Sequence, residues 1–409
     1  MLKLIHYEYR KLFFRRSILI TIIIFSIIDI FKINNVYQQD SLLADKSTET
    51  STKWENIYWE LYNEFSGVIT KDKIDKLLKI YRPLENEIAD ITASTRIDNP
   101  NTYTGNVYSD YYLLKWLYVQ PMEYAYMYKS RANNIVNNAR NNMKFFKKLG
   151  NEYEYKKNVI TANLFANRVI SNFAYLEMYQ SYLHYDFSIL LILFLCLYGI
   201  VNVFVNEKES QMNILLLTSI YGGKRTTTAK IIATSTFIVG ITLWFLILDF
   251  ICFSIAFNSF VTINLPIYTI QNFLASSINI TIGQYIVISG IFKMIGMLVI
   301  GMMFLFISEF FKNALVPFII NLSIILVIIF LCEKYRGSGY IINKVINPFI
   351  LLINRELFGK IEFVNIFGVP MLSYIVAIVF AGCLLIISII LIYKVSKKNV
   401  VNIKKGGIS

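Results

Sequence analysis

Charge and histidine are both scarce in this sequence. Asp, Glu, Lys and Arg make up 16% of it and hydrophobic residues 56%, against about 25% and about 45–50% in soluble proteins. A chain so poor in charge cannot give several soluble domains a solvated surface, so an ordinary soluble enzyme is excluded. The only two histidines are His6 and His184. That excludes histidine-rich metal sites and argues against histidine-dependent acid–base work. The four cysteines, Cys196, Cys252, Cys332 and Cys383, all lie in apolar runs without a CxxC pair. They read as small buried hydrophobes rather than as a disulfide framework. Neither G-x-S-x-G nor H-E-x-x-H occurs. The nearest approach to a phosphate-binding loop is Gly222-Gly223-Lys224-Arg225-Thr226. It has Arg225 where a Ser or Thr must follow the lysine, and Thr218 where the first glycine is required. The chain is therefore expected to bind no ATP by that route, to hold no metal or cofactor, and not to be an enzyme.

Long uncharged runs are what the sequence has instead. Phe187–Val205 and Ala314–Cys332 are each 19 residues without a charge, and Phe363–Tyr393 is 31. A bilayer core of ~30 Å takes about 20 helical residues to cross, so each run can span. Six spans are predicted, over 16–33, 187–206, 229–257, 285–308, 314–332 and 371–393. The first apolar run has no small-x-small cleavage site and reads as a retained span.

The formal net charge is +13, and the surplus sits beside spans, so it points to a membrane surface and not to nucleic acid. Lys3, Arg10, Lys11, Arg15 and Arg16 precede span 1, with Glu8 as the one acid; Lys394, Lys397, Lys398, Lys404 and Lys405 follow span 6. Basic residues near span ends mark the cytoplasmic side, so both termini are expected inside. The segment 34–186 carries 18 basic and 18 acidic residues and is expected to be translocated.

That segment is the one candidate soluble domain, and its pattern is helical. Tyr124, Tyr128, Ile135, Ala139, Met143 and Phe146 share one helical stripe. Ala162, Phe165, Val169, Phe173, Leu176 and Leu183 form a second, with Gly150-Asn151 as the turn between. Shorter helices are expected near 54–65 and 71–93, and a loop over Ile91–Val107. The fold class is thus all-α polytopic, with a helical extracellular domain between spans 1 and 2. The loop 333–370, with Pro348 and apolar Phe349–Ile353, is expected to dip back toward the outer leaflet, and 394–409 is a basic tail.

Three charges that fall well away from the ends of the predicted spans or toward their outer halves stand out: Asp29, Asp249 and Lys293. Charge at that depth is costly unless paired or hydrated. A pair between Asp249 and Lys293, the lining of a polar pathway, and snorkelling to the interface are the three readings open.

Between spans 2 and 3 the chain reads Val-Asn-Glu-Lys-Glu-Ser-Gln-Met-Asn-Ile-Leu-Leu-Leu-Thr-Ser-Ile-Tyr-Gly-Gly-Lys-Arg-Thr-Thr-Thr-Ala-Lys from 205 to 230. An acidic pair ends span 2, a short apolar helix follows, Gly222-Gly223 turns the chain, and Lys224 and Arg225 precede span 3. This resembles the first cytoplasmic loop of type-2 ABC exporter permeases. Glu207, Glu209, Ser210, Leu216, Leu217, Ser219, Arg225 and Lys230 stand at matching positions. Ser210 takes the place of the more usual glycine, and Tyr221-Gly222-Gly223 stands where proline is frequent. The amphipathic lead-in His6–Ser17, the six spans and the large domain after span 1 resemble the family too.

The resemblance implies the membrane subunit of an ATP-driven exporter in the bacterial cytoplasmic membrane. Its implied partners are two copies of a separate ATPase subunit, a second permease (identical or homologous) and membrane lipid. Glu207, Glu209, Ile214, Leu216, Leu217 and Arg225 would couple it to the ATPase. A large outer domain fits export or removal of peptides, antimicrobials or lipids. The alternative is a receptor or sensor whose outer domain binds ligand without transport.

Overall fold

A computed structural model describes residues 1–41, 51–89, 103, 106–212, 223–258, 262–336 and 339–406. Among the described residues six helices are long and apolar enough to cross a membrane: Arg16–Asp40, Glu177–Glu209, Lys224–Ala256, Ile282–Ser308, Leu315–Tyr335 and Ser373–Lys397. They are spans 1 to 6 below, and each overlaps its predicted range. The chain is a multi-pass membrane protein. Span 2 has 78% of its apolar window buried, against 17–22% for spans 1, 5 and 6. Span 2 therefore threads the middle of the bundle, and those three form its periphery. Gly199 lets spans 2 and 3 approach closely, because a Cβ there would meet the Phe237 ring at 2.7 Å. Span 2 is two helices, Glu177–His184 and Phe187–Glu209, stacked end to end across Tyr185-Asp186.

The lead-in helix Leu2–Phe13 buries Glu8 and Leu12 and packs on span 3. Its Phe13 ring meets Phe237 edge-on at 5.3 Å. At the opposite ends of the spans, helices Ser51–Phe65 and Lys71–Ala89 cover most of the two predicted shorter helices. The predicted loop over 91–107 lies largely outside the described residues. A longer helical stretch follows, Val107–Leu114 and Gln120–Lys148, joined through a π-helical turn at Lys115–Val119. Pro121 stands just after that turn and has no N–H to give the regular ladder. Gly150, at φ 68°, makes the expected turn. Asn151 then caps Glu152–Phe165 by accepting from the Glu154 N–H.

The second predicted stripe is corrected here. The helix ends at Phe165 rather than running to Leu183. Asn167 takes a left-handed backbone, φ 62°, and Arg168 turns inward. Arg168 is 1% exposed and donates from Nη2 to the carbonyls of Ser276 and Ile278, both at 3.0 Å. Tyr124 donates to the Tyr268 carbonyl at 2.7 Å and Tyr128 to that of Leu274 at 3.1 Å. These bonds dock the domain on the segment between spans 3 and 4.

The segment between spans 5 and 6 joins the same face of the bundle through Ser277 N–H to Phe358 O, 3.0 Å. It turns back into the bundle, where Leu351 and Leu352 press against Gly296 of span 4. It also departs from the all-helical expectation. Phe363–Ile366 and Val369–Leu372 form an antiparallel hairpin, with Phe363 opposite Leu372. Phe367 and Gly368 make its turn, at φ 50° and 83°. The uncharged run from Phe363 is thus a hairpin first and span 6 only from Ser373.

Candidate functional site

Two features stand out: a charge cluster where the lead-in helix meets spans 2 and 3, and a group of polar side chains within the spans.

Lys230 lies two turns into span 3 and is 1% exposed. Its Nζ reaches Glu207 Oε1 of span 2 at 2.6 Å, Glu8 Oε1 of the lead-in helix at 3.3 Å and the Val203 carbonyl at 3.0 Å. Lys11 joins from the lead-in helix, at 2.8 Å from the same Glu207 oxygen and 3.4 Å from Glu8. Two acids and two bases thus close a neutral cluster across three elements. Burial alone would lower the Lys11 ammonium. The Glu207 hydrogen bond and the Glu207 and Glu8 charges outweigh it and hold Lys11 above the ordinary lysine range. Ionised groups out of water are tolerable only when paired in this way. Glu8 and Lys11 were not among the predicted site residues. The one sequence signal for them was a lone acid in a basic helix.

Around this cluster the same ends of the other spans are tied together. Thr227 and Ser396 hydroxyls meet at 2.6 Å, and Thr228 and Tyr393 at 2.8 Å, joining spans 3 and 6. Lys208 donates to the Glu309 carbonyl just after span 4. Glu209 accepts the Ala314 N–H at 3.2 Å, where span 5 begins, so its charge caps a helix N-terminus. Glu309 is 2% exposed. Burial pushes its carboxyl up to about 8, against the pull of Lys208 and Lys230.

The residues that bracket the loop between spans 2 and 3 are therefore fixed on both sides. Gly223 ends it at φ 76°, and Lys224 and Arg225 are exposed beside it. Glu207, one of the residues the resemblance assigns to coupling, is held within the chain by Lys11 and Lys230. Ile214, Leu216 and Leu217 lie outside the described residues.

Within the spans, Asp249 and Lys293 form no ion pair within 4.0 Å, so the first of the three readings is not the one seen. Asp249 of span 3 faces Asp29 of span 1, the two carboxyl groups lying within hydrogen-bonding reach. Lys293 is half-buried. It lines a small cavity with Tyr182, Asp186, Ser289, Asn354 and Arg355. Arg355 there grips Asp186 with both guanidinium nitrogens, at 2.6 and 2.5 Å. Asn354 is 2% exposed and accepts from Tyr285 and Ser289. That polar layer was missed in the sequence, because its members come from three separate segments. His184 meets Asn272 at 2.8 Å and the Gln180 carbonyl at 2.8 Å. Among the described residues no group of His, Cys, Asp and Glu is arranged to hold a metal ion.

A cavity of about 280 Å³ opens where the domain meets span 2, lined by Tyr58, Trp116, Gln120, Tyr124, Phe173 and Tyr175 among others.

No protein-family model, curated protein or solved structure matches the chain.

Proposed function

We propose that this chain is the membrane subunit of an ATP-driven exporter of the type-2 ABC kind. It forms the translocation path with a second permease and is moved by two separate ATPase subunits. The reading places it in a bacterial cytoplasmic membrane, with both termini inside and the domain predicted over 34–186 outside.

The observation that carries the proposal is the anchoring of the loop between spans 2 and 3. A chain without a phosphate-binding loop must take its motion from elsewhere. That motion reaches the spans only if the receiving loop is fastened to them. Lys230, Glu207, Glu8 and Lys11 fasten both feet of the loop and the lead-in helix into one body. A push on 213–222 would then move spans 2 and 3 together. The run Ile214–Leu217 supplies the apolar anchor that a short interface needs, with Arg225 at its edge.

The test is purification of the tagged full-length chain from its native membrane, with the ATPase subunit that accompanies it identified by mass spectrometry. Leu216→Asp lies outside every spanning run, so the spans should insert normally. ATPase recovery and stimulated ATP hydrolysis should fall to background. Undiminished recovery with Leu216→Asp would remove the reading's main support.

The 280 Å³ aromatic cavity favours a second reading, a receptor whose outer domain binds ligand without transport. A peptide or lipid that stimulates the partner's ATP hydrolysis supports export. Ligand binding with no ATPase partner supports the receptor.

A further inference from the structure

Asp29 and Asp249 are the most deeply buried acids within the spans, at 0% and 2% exposure. Each has one oxygen satisfied. Tyr185 donates its hydroxyl to Asp29 Oδ1 at 2.6 Å, and Ser188 donates to Asp249 Oδ2 at 2.7 Å. The other two oxygens, Asp29 Oδ2 and Asp249 Oδ1, are buried without any hydrogen-bond partner. The carboxyl groups themselves lie within hydrogen-bonding reach of one another.

Two ionised carboxylates cannot hold that arrangement. Both would be acceptors, neither could donate, and the like charges would repel in an apolar layer. One proton placed between them changes every term. It gives each unpartnered oxygen its hydrogen bond, and it leaves one negative charge in place of two. Carboxyl pairs this close share a proton for that reason.

The other titratable groups facing the pair do not remove the need. Tyr185 and Tyr182 come from the helix that leads into span 2, and Cys252 from span 3. None is a cation. Lys293 of span 4 acts on Asp249 through its charge, and it makes no ion pair with either aspartate within 4.0 Å. It sits instead beside Asp186 and Arg355.

We propose that Asp29 and Asp249 form a one-proton binding site, an acid–carboxylate pair that fastens span 1 to span 3. Span 1 has need of such a tie. It is a peripheral helix with 17% of its apolar window buried, and a further polar contact with span 3 is Trp244 Nε1 to Ser26 Oγ at 3.1 Å. A strong hydrogen bond in an apolar layer holds a helix where lipid offers no competing partner. The site is independent of the exporter reading.

The experiment uses the full chain in lipid nanodiscs at neutral pH in sodium-free buffer. Protein carrying ¹³C-carboxyl aspartate should show a label-sensitive infrared band from an un-ionised carboxylic acid. Asp29→Asn and Asp249→Asn should each remove that band. Each also puts an amide N–H where the proton sat, so the thermal midpoint should stay at the wild-type value. Asp29→Ala should lower it. Absence of a label-sensitive un-ionised band from the wild-type protein overturns the proposal, whether or not any variant folds. A band that survives both Asn substitutions overturns it too. A wild-type midpoint raised by sodium at constant ionic strength would show that the two oxygens hold a metal cation, and would also overturn it.

Discussion

Lys230 of span 3 and Glu207 of span 2 meet at 2.6 Å, and the contact is shared with Glu8 and Lys11 of the lead-in helix. The lead-in helix is therefore held by charge as well as by its apolar face. Its partners are the residues that bracket the loop between spans 2 and 3.

The balance of this cluster makes a direct prediction. Lys230→Met leaves Glu8 and Glu207 buried with Lys11 as their one counter-charge. Removing one member of a buried ion pair costs about 3–5 kcal/mol, so the thermal midpoint of the purified protein should drop sharply. Lys230→Met combined with Glu8→Gln restores neutrality and keeps the Lys11–Glu207 pair. It should recover much of the loss. A double variant no more stable than the single one would mean that packing, not charge, holds the helix.

Glu309 should make stability depend on pH. Its carboxyl has an ordinary value of 4.5 and is pushed up to about 8 in the folded chain. Between those values the folded form keeps a proton that the unfolded form has lost, so stability falls as pH rises through the window. Glu309→Gln removes the titration. The variant should show a flatter pH profile from about 5 to about 8 and exceed the wild type at the alkaline end. Parallel melting curves for the two proteins across that range would contradict the assignment.

Arg355 and Asp186 bind through a two-toothed contact at 2.6 and 2.5 Å, which holds the segment between spans 5 and 6 against the start of span 2. Lysine keeps the charge but not the fork. Arg355→Lys should cost about 1–2 kcal/mol and speed amide hydrogen exchange over 339–372. Arg355→Met should cost more, since it leaves Asp186 beside Lys293 with no fixed partner. Unchanged exchange in both variants would show that Leu351 and Leu352 hold the segment by packing alone.

Legibility in the sequence followed the physics of each element. The spans could be read because a membrane crossing needs a local run of apolar residues, and locality is what a sequence displays. The domain helix Gln120–Lys148 had a clean stripe and was equally plain. The next helix was drawn too long, because the apolar spacing continues past Phe165 while the backbone does not. Asn167 turns left-handed and Arg168 leaves to bond two carbonyls over a hundred residues away, which no local pattern encodes. The same limit governed the intramembrane charges. Their depth was readable, and depth suggested Asp249 with Lys293. Which faces of spans 1, 3 and 4 meet is decided by packing, and packing gave Asp249 to Asp29.

Orientation remains the widest consequence of the sequence, and the structure chooses where to test it. The described residues of 51–176, 262–281 and 339–372 lie on one face of the bundle, joined by Tyr124–Tyr268, Arg168–Ser276 and Ser277–Phe358. The lead-in helix and residues 207–212 and 223–230 lie on the other, joined by Lys11–Glu207 and Thr227–Ser396. The basic residues near the span ends gather on the second face, and that is the ground on which it is proposed to be cytoplasmic. In a cysteine-free background, Asn138→Cys should react with an impermeant thiol reagent on intact cells, and Lys3→Cys and Lys397→Cys should react only after lysis. All three positions are exposed. Ser396, nearby, is 7% exposed and bonded to Thr227, so its silence would report burial and not sidedness. Labelling of Lys397→Cys from outside, with Asn138→Cys protected, would invert the topology and move the loop between spans 2 and 3 out of reach of any cytoplasmic ATPase.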